Sequence, residues 1–165
     1  MGPMATPTEL PLRRRRAGPA DLEEVLAVYR QSPGYFETIG AELPTEADVE
    51  RELLSAEADP KRRVELIFLA GEPVGLVDYR LDHPEDGTAT LSLVLVVEAY
   101  RGLGIGQQAV RVLERDLAGR YRILYALVYG ENPGAERFFT TLGYRFDKSG
   151  GPALKWFKKP LSGEP

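Results

Sequence analysis

Apolar positions along this chain fall into strand-like runs and helix-spaced stripes. Residues 64–70 and 74–81 are apolar segments around Gly71-Glu72, the pattern of a hairpin with a tight turn. Residues 88–97 and 121–129 are longer apolar strands, and the first should be central. Leu22, Val25, Leu26 and Tyr29 follow Pro19-Ala20-Asp21 at helical spacing, and Gln31-Ser32-Pro33-Gly34 breaks that helix. Residues 35–40, with adjacent Tyr35 and Phe36, read as irregular. Thr45 is an N-cap with Asp48 completing a capping box, ahead of Val49, Leu53 and Leu54, and Asp59-Pro60 ends that helix. An amphipathic helix covers 107–117, and Asn132-Pro133 opens another that runs to Leu142. Strands are expected at 10–16, around Gly143-Tyr144-Arg145-Phe146, and at 153–158. The order is β-α-α-β-β-β-α-β-α-β-β. Hairpins in the first half imply antiparallel pairing, and the two strand-helix-strand units in the second half imply crossovers. The predicted fold class is α/β (α+β): a mixed central sheet of about seven strands with four main helices on both faces.

Composition narrows the function. The chain has 165 residues, enough for one domain with a substantial core, expected at 10–159 between a flexible N-terminus (1–9) and a tail (160–165). Hydrophobic residues at 43% and charged residues at 28% are ordinary for a globular domain, and a net charge of −4 argues against nucleic acid as a partner. There is no cysteine, which excludes disulfides, a thiol nucleophile and zinc-thiolate sites, and the single histidine, His83, gives no support to a metal site. No run approaches the roughly 18 apolar residues of a membrane span, and no signal peptide is visible, so no membrane partner and a cytoplasmic location are expected. Arg13 to Arg16 read as the charged face of an edge strand rather than as a nucleic-acid patch.

The chemistry concentrates in residues 91–117. A strongly apolar strand leads through Glu98-Ala99-Tyr100 into Arg101-Gly102-Leu103-Gly104-Ile105-Gly106 and then a helix. Glycines allow positive φ and bare backbone, and the first turn of a helix has N–H groups without intrahelical partners at the positive end of its dipole. A strand feeding glycines into a helix N-terminus is a ready anion site, above all for phosphates. Gly104, Gly106 and Ala109 also fit a dinucleotide fingerprint, Gly-x-Gly-x-x-Gly/Ala. That fingerprint should follow its strand closely and carry an acidic residue about 20 positions on, where this chain has none. A purely structural glycine turn is the third reading.

Arg101, Gly104 and Gly106, with their flanking strand and helix, resemble the acetyl-CoA signature Arg/Gln-x-x-Gly-x-Gly/Ala of the Gcn5-related N-acetyltransferase (GNAT) superfamily. A second stretch from Asn132 to Tyr144 resembles that family's Asn-x-x-Ala-x-x-x-Tyr-x-x-x-Gly-Phe, with Asn132, Ala135, Gly143 and Tyr144 matching. The resemblance covers roughly residues 10–159 and implies the GNAT fold, acetyl-CoA as cosubstrate with no metal, and a small-molecule or peptide amine as partner. Many members form dimers, so a homodimer is open to this chain. The resemblance assigns the pyrophosphate to Arg101, Gly102, Leu103, Gly104, Ile105, Gly106 and Gln107. It assigns the pantetheine arm to the main chain of the fourth strand around Leu95, Val96 and Val97, and to Asn132. It also brings Arg137 within reach of a phosphate.

One departure matters. The family's tyrosine, which commonly protonates the departing thiolate, falls at Phe139. Tyr129, ending the fifth strand, is the candidate replacement, with a phenol pKa near ~10 suited to acid work. The general base is poorly marked: the fourth strand offers Thr90 and Ser92, Asp78 on the third strand is the nearest carboxylate, and Glu98 ends the fourth. Tyr35 and Glu37 would line the acceptor side. The resemblance therefore implies direct transfer of an acetyl group from acetyl-CoA to an amine. The alternatives are a non-catalytic acyl-CoA-binding module, which Phe139 keeps open, and a nucleotide-binding oxidoreductase.

Overall fold

Seven strands, β1 (Leu12–Arg16), β2 (Arg62–Leu69), β3 (Glu72–Leu81), β4 (Thr88–Val96), β5 (Ile123–Tyr129), β6 (Arg145–Ser149) and β7 (Leu154–Pro160), form one sheet in the order β1-β2-β3-β4-β5-β7-β6. Five α-helices accompany them: α1 (Leu22–Arg30), α2 (Pro33–Ile39), α3 (Glu46–Ala58), α4 (Ile105–Leu117) and α5 (Pro133–Thr141). This computed structural model describes residues 9–161, so the expected N-terminal extension lies outside the described residues except for Glu9. Among the described residues no helix is long and apolar enough to cross a membrane.

Side-chain alternation along the central strands builds two cores. On one face Val77, Leu91 and Leu124 meet Ile105, Val110 and Leu113 of α4 and Phe139 of α5. On the other, Leu66, Leu76 and Leu95 meet Val25 and Val28 of α1 and Leu53 of α3. Each fully buried leucine or valine contributes about 1.5–3 kcal/mol, so the two helix layers hold the sheet from both sides. Leu54, expected on the apolar face of α3, is instead half exposed; Val49, Leu53 and Ala56 form the buried stripe.

The fifth helix was not expected. Pro33-Gly34 reads as a helix breaker, yet Pro33 starts α2, where its missing N–H costs nothing and its φ is preset. Gly40 ends it in the left-handed conformation (φ 72°), and Ala41 N–H closes the turn on the Phe36 carbonyl at 2.9 Å. Ser32 Oγ caps the preceding helix by donating to the Val28 carbonyl at 2.7 Å. The hairpin turn also sits one residue earlier than read: Ala70 (φ 53°) and Gly71 (φ 83°) make the two-residue loop, and Leu69 pairs with Glu72.

Three of the four arginines of the run are consumed by the fold. Arg14 pairs with Glu65 and Asp116, Arg15 with Asp21 and Glu24, and Arg16 donates to the carbonyls of Ala56 and Arg62. Leu10 does not join β1. Its main chain is held by Gln108 of α4, which accepts from Leu10 N–H at 2.9 Å and donates to its carbonyl at 2.8 Å. The expected tail begins as structure too, since Pro160 ends β7 and Leu161 is buried.

The feature that positions the site is the β4–β5 pair. It is parallel, whereas every other neighbouring pair is antiparallel. It runs only from Thr88↔Ile123 to Leu91↔Ala126, although β4 continues to Val96 and β5 to Tyr129. Beyond Leu91 the strands part. At the same level the β3–β4 register jumps, from Tyr79↔Leu91 to Asp78↔Leu93, so Ser92 is a bulge residue on β4. Further along, β3 and β4 approach closely: a Cβ on Gly75 would lie 2.6 Å from the Leu95 carbonyl oxygen. Gly75→Ala should therefore force these strands apart and destabilise the protein by about 1–3 kcal/mol, measured by urea unfolding.

Candidate active site

The parted ends of β4 and β5 enclose a cleft of about 540 Å³. One wall is Ser92 to Val96 of β4, the other Leu127 to Tyr129 of β5. Its far end is closed by Tyr100, Arg101, Gly102 and the first turn of α4, and its floor by Asn132, Phe138 and Phe139.

The first turn of α4 is built to leave donors free. Gly104 is the N-cap in the left-handed region (φ 81°), preceded by Gly102 in the same region (φ 86°). A glycine cap has no side chain to satisfy the first amides, and no acidic residue lies in the first turn. The N–H groups of Ile105, Gly106 and Gln107 therefore reach the cleft end without intrahelical partners, at the positive end of the helix dipole. A Cβ on Gly106 would make ordinary contact, at 3.5 Å, with Phe138 and with Val96, so the turn lies between these two side chains. Leu103 is exposed and lines no part of the cleft, so only its main chain belongs to the turn.

Strand β4 supplies the second set of free groups. Val97 N–H donates to the Val74 carbonyl at 2.9 Å, and the Val97 carbonyl accepts from Tyr100 at 2.9 Å. Val97 is thus fully committed and buried, a correction to its expected contact with the pantetheine arm. Because main-chain groups alternate along a strand, Val96 and Val94 turn theirs the other way, into the gap. The Val96 carbonyl meets the Ser32 hydroxyl at 3.4 Å.

Asn132 does two things at once. Its Oδ1 caps α5 by accepting from Ala135 N–H at 3.0 Å, while its amide NH₂ has no protein partner among the described residues and faces the cleft. Arg137, one turn on, is exposed and lines no cavity. Phe139, where the sequence departs from the expected tyrosine, is buried, edge-on to both Phe138 and Tyr144.

A second chamber opens on the other side of Tyr35, Ser92, Leu93, Leu127 and Tyr129, which line both spaces. It exists because α1 and α3 pack over β2, β3 and β4, leaving the same face bare over β5 and β7. Tyr129 stands at the junction. Burial raises its pKa above the usual value, reinforced by the charge of Asp78 and opposed by Ser92, so the hydroxyl stays protonated at neutral pH. Tyr35 is pushed up to about 12 by burial and by Tyr129.

The sequence-derived base does not stand free. Both oxygens of Asp78 accept from Arg62, at 3.2 Å from Nε and 2.8 Å from Nη2, and Arg62 also holds Glu52 at 2.7 Å. The hydrogen bond to Asp78 raises the Arg62 pKa, so the guanidinium keeps its charge and Asp78 is engaged as its counter-ion in the chamber wall. Glu98 is occupied as well: its Oε2 accepts from Gly34 N–H at 2.6 Å and caps α2. Glu37 is exposed and lines neither space, because helical winding puts Tyr35 and Thr38 on the cleft face and Glu37 off it. The residues that sequence reasoning missed in this chamber are Glu42, Glu52, Arg62, Arg80 and His83. For Arg80, two residues on from Asp78 in β3, strand alternation was a usable signal; for Arg62, on the neighbouring strand, and for His83, in a loop, there was none. Among the described residues no cluster of His, Cys, Asp or Glu is arranged to hold a metal ion.

A bulged β4 parting from a parallel β5, with an uncapped glycine-turn helix at the end of the gap, is the architecture of an acyl-CoA site. The sequence model of the Acetyltransferase (GNAT) family matches residues 21–144. The chain belongs to that family. It is similar to an acetyltransferase from Thermus thermophilus, with 46% identity, a TM-score of 0.89, and coverage of 92% of this chain and 97% of that one. It shares the fold of the PaiA N-acetyltransferase of Thermoplasma acidophilum, solved in complex with coenzyme A, at 14% identity and a TM-score of 0.72 over 92% of this chain and 99% of that one. A β-lysine N(6)-acetyltransferase of Methanosarcina mazei is 32% identical over 82 residues, 49% of this chain but only 30% of that protein, so the chain spans under a third of that relative's length.

The two duties of Asn132 separate by substitution. Asn132→Ala should cost about 0.5–2 kcal/mol in urea unfolding through loss of the α5 cap, whereas Asn132→Asp should keep the cap and the stability while losing the NH₂ donor.

Proposed function

We propose that this chain moves the acetyl group of acetyl-CoA directly to a primary amine held in the second chamber. The observation that carries the reading is the open β4–β5 gap, along which main-chain groups of Val94 and Val96 have no β5 partner, with the uncapped turn of α4 at its end. These groups fit the two parts of the cosubstrate. Amides of Ile105, Gly106 and Gln107, with Arg101, suit a pyrophosphate. The β4 edge suits an amide-bearing arm that adds to it as a further strand would, and the Asn132 NH₂ reaches toward the same arm. Arg137 is close enough in the chain to approach an outer phosphate.

Tyr129, at the junction of cleft and chamber, faces the place where the thioester would lie. Its raised pKa makes it a weaker acid than an alkyl thiol, which titrates near ~8.5. It therefore acts as a hydrogen-bond donor to the departing sulfur, and solvent completes the protonation. N–H groups of β4 polarise the carbonyl, and proximity of the two substrates supplies much of the rate.

The acceptor chamber carries both signs, with Glu42, Glu52 and Asp78 against Arg62 and Arg80, among the aromatic rings of Tyr29, Tyr35 and Phe36. That suits an amine on a small molecule that also bears an anionic group, and the amine-directed activity in the Methanosarcina relative's name supports the same class.

Calorimetric titration with acetyl-CoA, beside NADH, tests the cofactor assignment. Wild type should bind acetyl-CoA saturably and NADH not at all, and Gly104→Trp, which fills the turn at a left-handed position, should abolish binding with the fold intact by circular dichroism. A folded wild type that ignores acetyl-CoA ends the reading. Tyr129→Phe should lower kcat about 10- to 100-fold with little change in KM for acetyl-CoA, the worth of one hydrogen bond to a charged group.

A further inference from the structure

His83 is the only histidine in the chain, and it sits in the β3–β4 loop as part of the acceptor chamber wall, beside Arg80 and Tyr129. Two hydrogen bonds determine which of its nitrogens carries the proton. The Thr90 hydroxyl donates to the His83 carbonyl at 2.7 Å, and this uses its one proton. The same oxygen lies 3.0 Å from His83 Nδ1, so Nδ1 must be the donor in that contact. The neutral ring then carries its lone pair on Nε2. That nitrogen is on the ring edge away from Thr90 and has no protein partner among the described residues. Thr90 is completely buried, so water does not compete for its hydroxyl. Trp156 stacks on the imidazole at 6.1 Å and 15°, and Tyr125 holds Trp156 edge-on at 5.5 Å, so the ring plane is fixed as well as the tautomer.

Most of the groups around His83 are already engaged or carry their protons, and Glu42 is exposed at the chamber rim. Asp78 of β3 has both oxygens on Arg62 of β2, which also binds Glu52 of α3. Tyr129 of β5 and Tyr35 of α2 are protonated phenols. Arg80 of β3 is cationic, Glu42 enters from the loop between α2 and α3, and Lys148 of β6 lies over Trp156 at 5.2 Å. Burial, and then the charge of Arg80, hold the His83 pKa below its usual value, so the imidazole is neutral at neutral pH.

We propose that His83 Nε2 is the general base of the transfer, taking the proton that the acceptor nitrogen sheds, and that Thr90 is the residue that positions it. This rests on the acetyltransferase reading above. In the step, a free amine forms the C–N bond to the thioester carbonyl carbon and becomes cationic. Nε2 takes one proton from that nitrogen. The C–S bond breaks, the sulfur leaves with both electrons under the Tyr129 hydrogen bond, and solvent protonates it while the imidazolium returns its proton to solvent. No oxidant or further reactant is required.

With one histidine, the imidazole can be read without assignment by long-range proton–nitrogen NMR on the whole chain. Wild type at neutral pH should show the Nδ1–H tautomer, and Thr90→Val should lose that preference; an Nε2–H tautomer in wild type overturns the proposal. Acetyl transfer from acetyl-CoA to lysine, spermidine and kanamycin is then followed across a pH series. Wild-type kcat/KM for the amine that reacts should fall as pH drops through the imidazole pKa found by NMR. His83→Gln should lose that limb and about 10²- to 10⁴-fold in kcat, with acetyl-CoA affinity by calorimetry unchanged. His83→Gln with wild-type rate and pH profile overturns the assignment and leaves the transferase reading standing. A wild type that binds acetyl-CoA and acetylates none of the three amines overturns the transferase reading, and the base with it.

Discussion

The short parallel ladder between β4 and β5 is the constraint on which the rest depends. Had it continued beyond Leu91, the main-chain groups of Val94 and Val96 would be satisfied within the sheet and there would be no cleft. A buried sheet does not leave its hydrogen bonds unmade without something to replace them. Two devices keep the strands apart here. The extra residue at Ser92 changes the course of β4, and Gly75 lets β3 draw the far half of β4 toward itself. The cores on both faces then hold the parted strands in place, since Leu95 is anchored under α1 while Val128 is anchored on the α4–α5 side.

Around the place where the two spaces meet, the charges are already committed to structure. Ions that look reactive in isolation are absorbed into structure: Asp78 by Arg62 and Glu98 by the start of α2. Two neutral groups stand here, the phenol of Tyr129 at the junction itself and, further into the chamber, the imidazole of His83. Neutral groups suit such a junction, because a buried unpaired ion would cost more than it could return.

Much of this was legible in the sequence, for identifiable reasons. The glycine turn could be read because positive φ and an uncapped helix start demand particular residues at particular spacings, and Gly102, Gly104 and Asn132 sit where that logic puts them. Strands β2 to β5 were legible from apolar runs. The failures share a cause: each depends on a long-range partner. Pro33-Gly34 reads as a break until Glu98, far along the chain, caps the helix they begin. Asp78 looks like a free carboxylate until Arg62 is laid across from it. Val97 looks equivalent to Val96 until Val74 determines which of the two faces the gap. His83 carries no local signal, because what makes it a base is Thr90 across the loop.

The link from Glu98 to α2 has one further consequence. Glu98 also donates its own N–H to the Gln31 carbonyl at 3.0 Å, so the end of β4 is fastened at two points to the α1–α2 junction, and α2 carries Tyr35 into the acceptor chamber. The strand that meets one substrate and the helix that meets the other are thus a single mechanical unit. Any displacement of the end of β4 is therefore passed to α2 through two hydrogen bonds rather than through loose side-chain packing.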